Sequence, residues 1–268
     1  MKDMLDALFK SENIEYYRAL SYDKLRVLRP YLTERAGISP RTAVIFLIPY
    51  YTVEGVNISS YAVSRDYHLY SRELFSRLIK SLCEAFPEYK FTAFADHSPI
   101  DERQAALLAG LGVIGDNGLI INEKYGSYIF IAELLTDAPP SLLGASLPAP
   151  ILTCTHCGAC KRACPGKTLS AGGDCLSMIT QKKGELSREE RLLLREENTA
   201  WGCDACQRVC PYNKHPVKTP ISFFHESLTP ALSRESVLSM SDEEFSERAY
   251  SWRGREVVLR NLSLLEEK

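Results

Sequence analysis

Apolar and polar positions alternate in recognisable elements over the first half of the chain. Thr42-Ala-Val-Ile-Phe-Leu-Ile-Pro-Tyr50 is a continuous apolar run ending at proline, which predicts a strand buried on both faces. Between Leu69 and Phe86, the residues Leu74, Leu78, Ile79, Leu82 and Phe86 fall at helical spacing. Lys90 to Ala95 reads as a strand, and Asp101 to Leu111 as an amphipathic helix running into Gly110-Leu-Gly-Val-Ile-Gly115. Tyr125 to Leu135 supplies a further strand centred on Tyr128-Ile-Phe-Ile-Ala132. The pattern predicts an α/β (α+β) domain over residues 1–148, with a boundary at Pro139-Pro140 and Pro148-Ala-Pro150. Toward the end the pattern turns helical again, from about Ser239, within a C-terminal segment 217–268.

At 268 residues, 45% hydrophobic and 25% charged, the chain is long enough for a sizeable core and has an ordinary globular composition. No stretch approaches the roughly 20 apolar residues that span a bilayer, and Met1 to Lys10 is too short in apolar content for a signal peptide. A cytoplasmic protein with no membrane partner is expected. The net charge of −2 argues against nucleic-acid binding by broad electrostatics. Lys161, Arg162, Lys167, Lys182 and Lys183 still form a local basic group, whose plain reading is a solvated face.

Nine cysteines change the picture. Eight lie between Cys154 and Cys210, and Cys83, outside them, reads as an ordinary core thiol. Cys154, Cys157, Cys160 and Cys164-Pro165 make the run C-x2-C-x2-C-x3-C-P. Three thiolates of such a loop wrap one cubane cluster, and the fourth ligates the other cluster of a pair. Cys203, Cys206 and Cys210-Pro211 give a second set that is one cysteine short, and Cys175 is the natural candidate to complete it. With the usual crossover, Cys154, Cys157, Cys160 and Cys210 hold one 4Fe-4S cluster and Cys164, Cys175, Cys203 and Cys206 the other. A free thiol at Cys175 is the alternative. Zinc suits paired C-x2-C units, but a third cysteine two residues on and a Cys-Pro ending are poor zinc patterns. Residues 149–216 are therefore expected to be a ferredoxin-like domain with two clusters. Such a segment carries electrons; the cysteines do not say to what.

Other blocks do. Tyr61-Ala-Val-Ser-Arg-Asp-Tyr-His68, Asp96-His-Ser-Pro-Ile-Asp-Glu-Arg103, Ala109-Gly-Leu-Gly-Val-Ile-Gly115 and Gly126-Ser-Tyr-Ile-Phe130 resemble, in order, blocks of the epoxyqueuosine reductases. So do Gly202 to Pro211 and Trp252-Arg-Gly-Arg-Glu-Val-Val-Leu-Arg-Asn261. The resemblance spans nearly the whole chain. It implies an oxidoreductase of queuosine biosynthesis that reduces epoxyqueuosine in a tRNA anticodon loop to queuosine. It also implies a cobalamin, with its cobalt, in the N-terminal domain, fed through the clusters by a low-potential ferredoxin or flavodoxin. Asp96 matches the family's proton donor, and Glu102 and Arg103 its Glu-Arg pair, with Arg103 beside the corrin. Gly110, Gly112 and Gly115 match positions of tight packing or close approach to the corrin; they follow a helix, so they are no dinucleotide fingerprint. From spacing alone, a helix cap is the favoured reading of Asp96, and the resemblance reverses it. His68 and His97 are conceivable cobalt ligands, though a lone histidine is more often structural.

Three departures from the family pattern stand out. Val113 replaces a tryptophan, Asp116 replaces a basic residue, and the chain reads as a short form without the helical repeats into which many members continue. The last departure leaves a related cobalamin reductase for a small epoxide or halide as the alternative. An electron carrier is a third reading, which the long N-terminal domain disfavours.

Overall fold

The computed structural model describes residues 1–144 and 153–267; the boundary expected at Pro148–Pro150 lies outside them. In chain order the elements are α1 (Lys2–Ser11), β1 (Tyr17–Ser21), α2 (Pro30–Arg35), β2 (Thr42–Pro49), α3 (Tyr67–Ala85), β3 (Phe91–Ala95) and α4 (Glu102–Leu108). The short strands β4 (Val113–Ile114) and β5 (Ile120–Ile121) precede β6 (Ile129–Thr136). Short helices follow: α5 (Ala159–Ala163), α6 (Thr168–Ala171), α7 (Leu176–Thr180), α8 (Arg188–Glu196) and α9 (Ala205–Arg208). The last three are α10 (Arg234–Ser239), α11 (Asp242–Ser246) and α12 (Arg255–Glu266).

The chain forms two compact units, Met1–Pro49 with Tyr70–Thr155, and Tyr50–Leu69 with His156–Lys268. The first is built on a four-stranded sheet of order β1-β2-β6-β3, antiparallel at every pairing. Every residue of β2 is buried, as its unbroken apolar run predicted. On one face Phe46 meets Phe9 of α1 and Phe75 of α3. On the other, Ile45, Leu47 and Leu135 pack with Ala105, Ala106 and Ala109 around α4. Helix α3 buries Leu74, Leu78 and Leu82 completely at a spacing of four, so one stripe faces the sheet. Cys83, about 100° further round, is exposed, which corrects its reading as a core thiol.

The second unit gathers two stretches far apart in sequence. Residues 50–69 are held there by main-chain hydrogen bonds: Ser59 N–H to Trp201 O (2.8 Å), Thr229 N–H to Val63 O (2.8 Å) and Asp66 N–H to Glu247 O (2.7 Å). Their side chains Ile58, Ala62 and Val63 enter a core with Trp201, Tyr250 and Val258. Pairings across so many residues leave no mark in local periodicity, so three consecutive segments were the natural expectation from sequence.

Candidate functional site

Strand β3 ends at Ala95, and Asp96 follows exposed, with φ of 66°. The left-handed region is uncommon for residues other than glycine, and Asp and Asn enter it most readily. Two main-chain hydrogen bonds hold this turn: His97 N–H donates to Ala95 O (2.8 Å) and Asp96 N–H to Glu102 Oε1 (2.9 Å). The residue that caps α4 is Asp101, whose carboxylate accepts the Gln104 N–H at 3.2 Å. Asp96 is therefore not the cap of α4. Its presentation is also not that of a parallel α/β sheet, because β3 is the edge of an antiparallel one. The turn itself pushes the carboxylate outward.

Glu102 is half-buried behind Asp96. Burial pushes its carboxyl up to about 7, and the Asp96 and Asp101 charges add to this. The Asp96 amide and Arg29 pull the other way. Arg103 is exposed and donates through one guanidinium nitrogen to Gly118 O at 3.1 Å, tying α4 to the β4–β5 hairpin. The three glycines each have a local reason. Gly110, at φ 65°, ends α4 with Gly110 N–H to Leu107 O and Leu111 N–H to Ala106 O, a Schellman pattern. A Cβ on Gly112 would sit 2.5 Å from Ile121 O, and one on Gly115 2.7 Å from Ile121 Cδ1. Both histidines are held by protein partners: His97 Nε2 lies 3.1 Å from Tyr31 OH, and His68 Nδ1 2.8 Å from Asp66 Oδ1.

Sequence reasoning overlooked Glu133. It is fully buried on β6, accepts a hydrogen bond from Ser98 Oγ, and faces the α4 side of the sheet. The signal was present: a lone carboxylate at an inward position of Ile129-Phe-Ile-Ala-Glu-Leu-Leu-Thr136.

In the second unit, the electrostatic neighbours of the Cys206 thiol include Cys203, Cys175 and Cys164. These four are the set that crossover ligation groups together. Glycines make the convergence possible, since a Cβ on Gly166 would lie 1.9 Å from Asp174 O and one on Gly173 2.2 Å from Gly166 O. The turn after Cys164 therefore touches the backbone leading into Cys175. Helix α5, carrying Cys160, packs on α9, carrying Cys206. Burial raises the Cys203 thiol to about 11 and that of Cys206 to about 12, so both are protonated until metal replaces the proton. Cys157, Cys160 and Cys210 belong to the same unit, and Cys154 to the first. The loop bearing Cys203 is fixed by Asp204, also missed from sequence. This buried carboxylate accepts hydrogen bonds from Ser59 Oγ and from Ser60 N–H at 2.6 Å.

Residues 153–213 match the family described as 4Fe-4S double cluster binding domain. The epoxyqueuosine reductase of Listeria monocytogenes is 34% identical over 215 residues, covering 75% of this chain and 54% of that protein. The one from Leadbetterella byssophila is 31% identical over 241 residues, 85% of this chain and 78% of that protein. Among solved structures, the epoxyqueuosine reductase of Streptococcus thermophilus aligns over 99% of this chain and 80% of its own, with TM-score 0.80 and 23% identity. Another, solved with an epoxyqueuosine-modified tRNA-Tyr stem loop, gives TM-score 0.78 at 23% identity, over 98% of this chain and 80% of its own. The chain spans little more than half the length of the Listeria relative. At 31% identity across 78% of the Leadbetterella protein, the chain belongs to the epoxyqueuosine reductase family.

Proposed function

We propose that the chain reduces the epoxide of epoxyqueuosine in a tRNA anticodon loop to the alkene of queuosine, with two 4Fe-4S clusters and cobalamin as cofactors. The observation that carries this reading is the presentation of Asp96, thrust outward by a left-handed turn and serving no cap. A strained, exposed acid followed by Glu102 and Arg103 supports the reading of this block as the family's proton-donor block. The relative solved with a modified tRNA stem loop supports the substrate. Lys182, Lys183 and Arg253 line a cavity of about 430 Å³ and offer phosphate contacts.

Cys154, Cys157, Cys160 and Cys210 are assigned to one cluster and Cys164, Cys175, Cys203 and Cys206 to the other. The gathering of the second four around Cys206 supports the division. For cobalamin, the residues present are compatible. Arg103 uses one nitrogen on Gly118 and keeps further donors for the amide-rich rim of a corrin. The β4–β5 hairpin, which follows Gly110 and Gly112 and contains Gly115, presents an exposed apolar Ile114. When bound, the cobalamin supplies a strongly nucleophilic reduced metal. The chain's residues supply the protons: an epoxide plus two electrons and two protons gives the alkene and water. In this reading Asp96 protonates the oxygen as its bond to carbon breaks. Glu102 fixes the Asp96 main chain, so the acid stays aimed. A low-potential ferredoxin or flavodoxin is the matching donor, and both it and tRNA belong to the cytoplasm. No helix among the described residues is long and apolar enough to cross a membrane.

The test is anaerobic incubation of the reconstituted protein, cobalamin and a strong reductant with epoxyqueuosine-containing tRNA, read by nucleoside mass spectrometry. Queuosine is expected. Its absence with both clusters and cobalamin bound refutes the tRNA reading and points to a small epoxide or halide. Asp96→Asn should keep clusters and cobalamin and lose about 10²–10⁴ in turnover.

A further inference from the structure

Asp96 follows the edge strand β3, and one residue separates it from Ser98, which is buried. We propose that Glu133 and Arg29 grip this loop at Ser98 and act as positioning residues for Asp96, a role that rests on Asp96 being the proton donor. Glu133 sits in the middle of the sheet, with register partners Ile45 on β2 and Phe94 on β3. Its side chain is wholly removed from water, and its Oε1 accepts the Ser98 hydroxyl. That hydroxyl also accepts the Ile100 N–H at 3.1 Å, so its one proton is committed and its direction fixed. An apolar side chain would fill the same place beside Ile45 and Leu135 at lower cost, because burying a carboxyl is expensive. What the acid adds there is an acceptor for Ser98.

The second grip is a strap, residues 26–31, paired in reverse order with residues 97–101. Tyr31 OH lies 3.1 Å from His97 Nε2, and Arg29 Nη1 donates to Ser98 O at 3.0 Å. The Leu28 and Arg29 amides both donate to Pro99 O, at 2.8 and 3.0 Å. Val27 bridges Ile100, and the Asp101 amide donates to Arg26 O at 2.9 Å. The Arg26 amide carries the strap on to α4, reaching Gln104 Oε1 at 3.0 Å. Pro99 fixes its own φ and holds Ser98 extended, which leaves the torsional freedom of the loop mainly at Asp96 and His97. Ser98 is the residue held twice by side chains, its hydroxyl by Glu133 and its carbonyl by Arg29. A shift of that anchor passes to Asp96 through His97 alone. Misplacing a reacting group by about 1 Å costs on the order of 10²-fold in rate. Asp96 alone meets substrate; Glu133 and Arg29 act through Ser98.

The test uses the full chain with its clusters and cobalamin. Glu133→Leu fills the place but accepts no hydrogen bond, whereas Glu133→Gln keeps an accepting oxygen. At saturating tRNA, Glu133→Leu and Arg29→Ala should each lower kcat by about 10–100-fold, with KM within about twofold of wild type. Glu133→Gln should recover most of the kcat lost in Glu133→Leu. The thermal midpoint of Glu133→Leu should equal or exceed that of the wild type, which separates positioning from support of the fold. Amide exchange over 97–101 should quicken in Glu133→Leu and Arg29→Ala while β2 and β6 stay protected, a readout that needs no turnover. Unchanged exchange in both variants overturns the grip. Quickened exchange with wild-type kcat overturns the positioning role. Equal losses in Glu133→Leu and Glu133→Gln overturn the part given to the Glu133 acceptor. A wild type that holds its cofactors yet forms no queuosine defeats the function reading, and the positioning of a proton donor with it; exchange still decides the grip.

Discussion

The two units position their functional groups by opposite means. In the first, a regular four-stranded sheet packed with helices on both faces sets Asp96, Ser98, Glu102 and Glu133 by register and turn geometry, around a large apolar core. In the second, the cysteine-bearing helices are short, and the apolar cluster nearest them is only Leu176, Ile179, Leu186, Leu194 and Leu264. Their loops are fixed instead by buried polar side chains. Asp204 binds Ser59 and Ser60, Asn213 Nδ2 reaches Gln207 O at 2.8 Å, and Asn261 Nδ2 reaches Thr180 O at 2.7 Å and Ala200 O at 2.8 Å. The first unit sets its groups on a regular sheet; the second has its own apolar core around Trp201 and Tyr250, and fixes its cysteine loops with buried hydrogen bonds.

The largest expected effect follows from this contrast. Chelating the iron should abolish hydrogen-exchange protection over 156–213 and leave β2 and β6 protected. Cys175→Ala should lower iron from about eight to about four per chain, whereas Cys83→Ala, on the exposed side of α3, should leave it unchanged. Loss of protection in β2 on chelation would break the comparison, since the first unit would then depend on the clusters too.

A smaller effect sharpens it. Gly202 and Gly37 both have positive φ, 71° and 65°. A Cβ on Gly202 would fall 2.4 Å from Ser59 Cβ, but one on Gly37 meets nothing within 4 Å. Gly37→Ala should therefore cost only the left-handed strain, about 1–2 kcal/mol. Gly202→Ala adds a clash with the Ser59 side chain, beside Cys203, worth about 1–3 kcal/mol more. Urea midpoints would measure both. Equal costs would mean that the 59–60 segment yields easily and that the Asp204 brace is loose.

Much of this was legible in the chain. The buried strand at Thr42–Pro49, helix α3, β3 and the cysteine sets were local patterns, and local patterns survive folding. The expected grouping of Cys164 and Cys175 with Cys203 and Cys206 comes from cubane ligand spacing, and the electrostatic neighbours of Cys206 agree with it. What stayed hidden was non-local. The joining of residues 50–69 to 200–250 depends on main-chain hydrogen bonds that any side chains could make. The antiparallel sense of the sheet depends on connections, to which an alternating helix–strand pattern is blind. Glu133 was visible as a charge in an apolar strand, but only the fold shows Ser98 and Glu102 beside it. Of the two readings of Asp96, the structure removes the helix cap, because Asp101 holds that position.

The smallest effect sets the two units against each other in pH. Burial raises Glu102 and Glu133 in the first unit, so between the ordinary carboxyl value of 4.5 and about 7 the folded state binds more protons than the unfolded one. Stability from this pair is full below that window and is lost as pH rises through it, with Glu133 prolonging the loss beyond. In the second unit Glu190 runs the other way. Its hydrogen bond from Lys182, at 2.8 Å, holds it below the ordinary value, so its contribution is present at neutral pH and is lost as pH falls. Glu133→Gln should leave acid-side stability nearly unchanged and raise the alkaline side, flattening the decline. Glu190→Gln should lower stability at neutral pH and converge with wild type in acid. Thermal midpoints across this range would read both, and the clusters serve as a separate optical report on the second unit. If Glu133→Gln only displaces the wild-type curve in parallel, the buried carboxyl does not titrate differently from its unfolded form, and the difference between the units is one of packing alone.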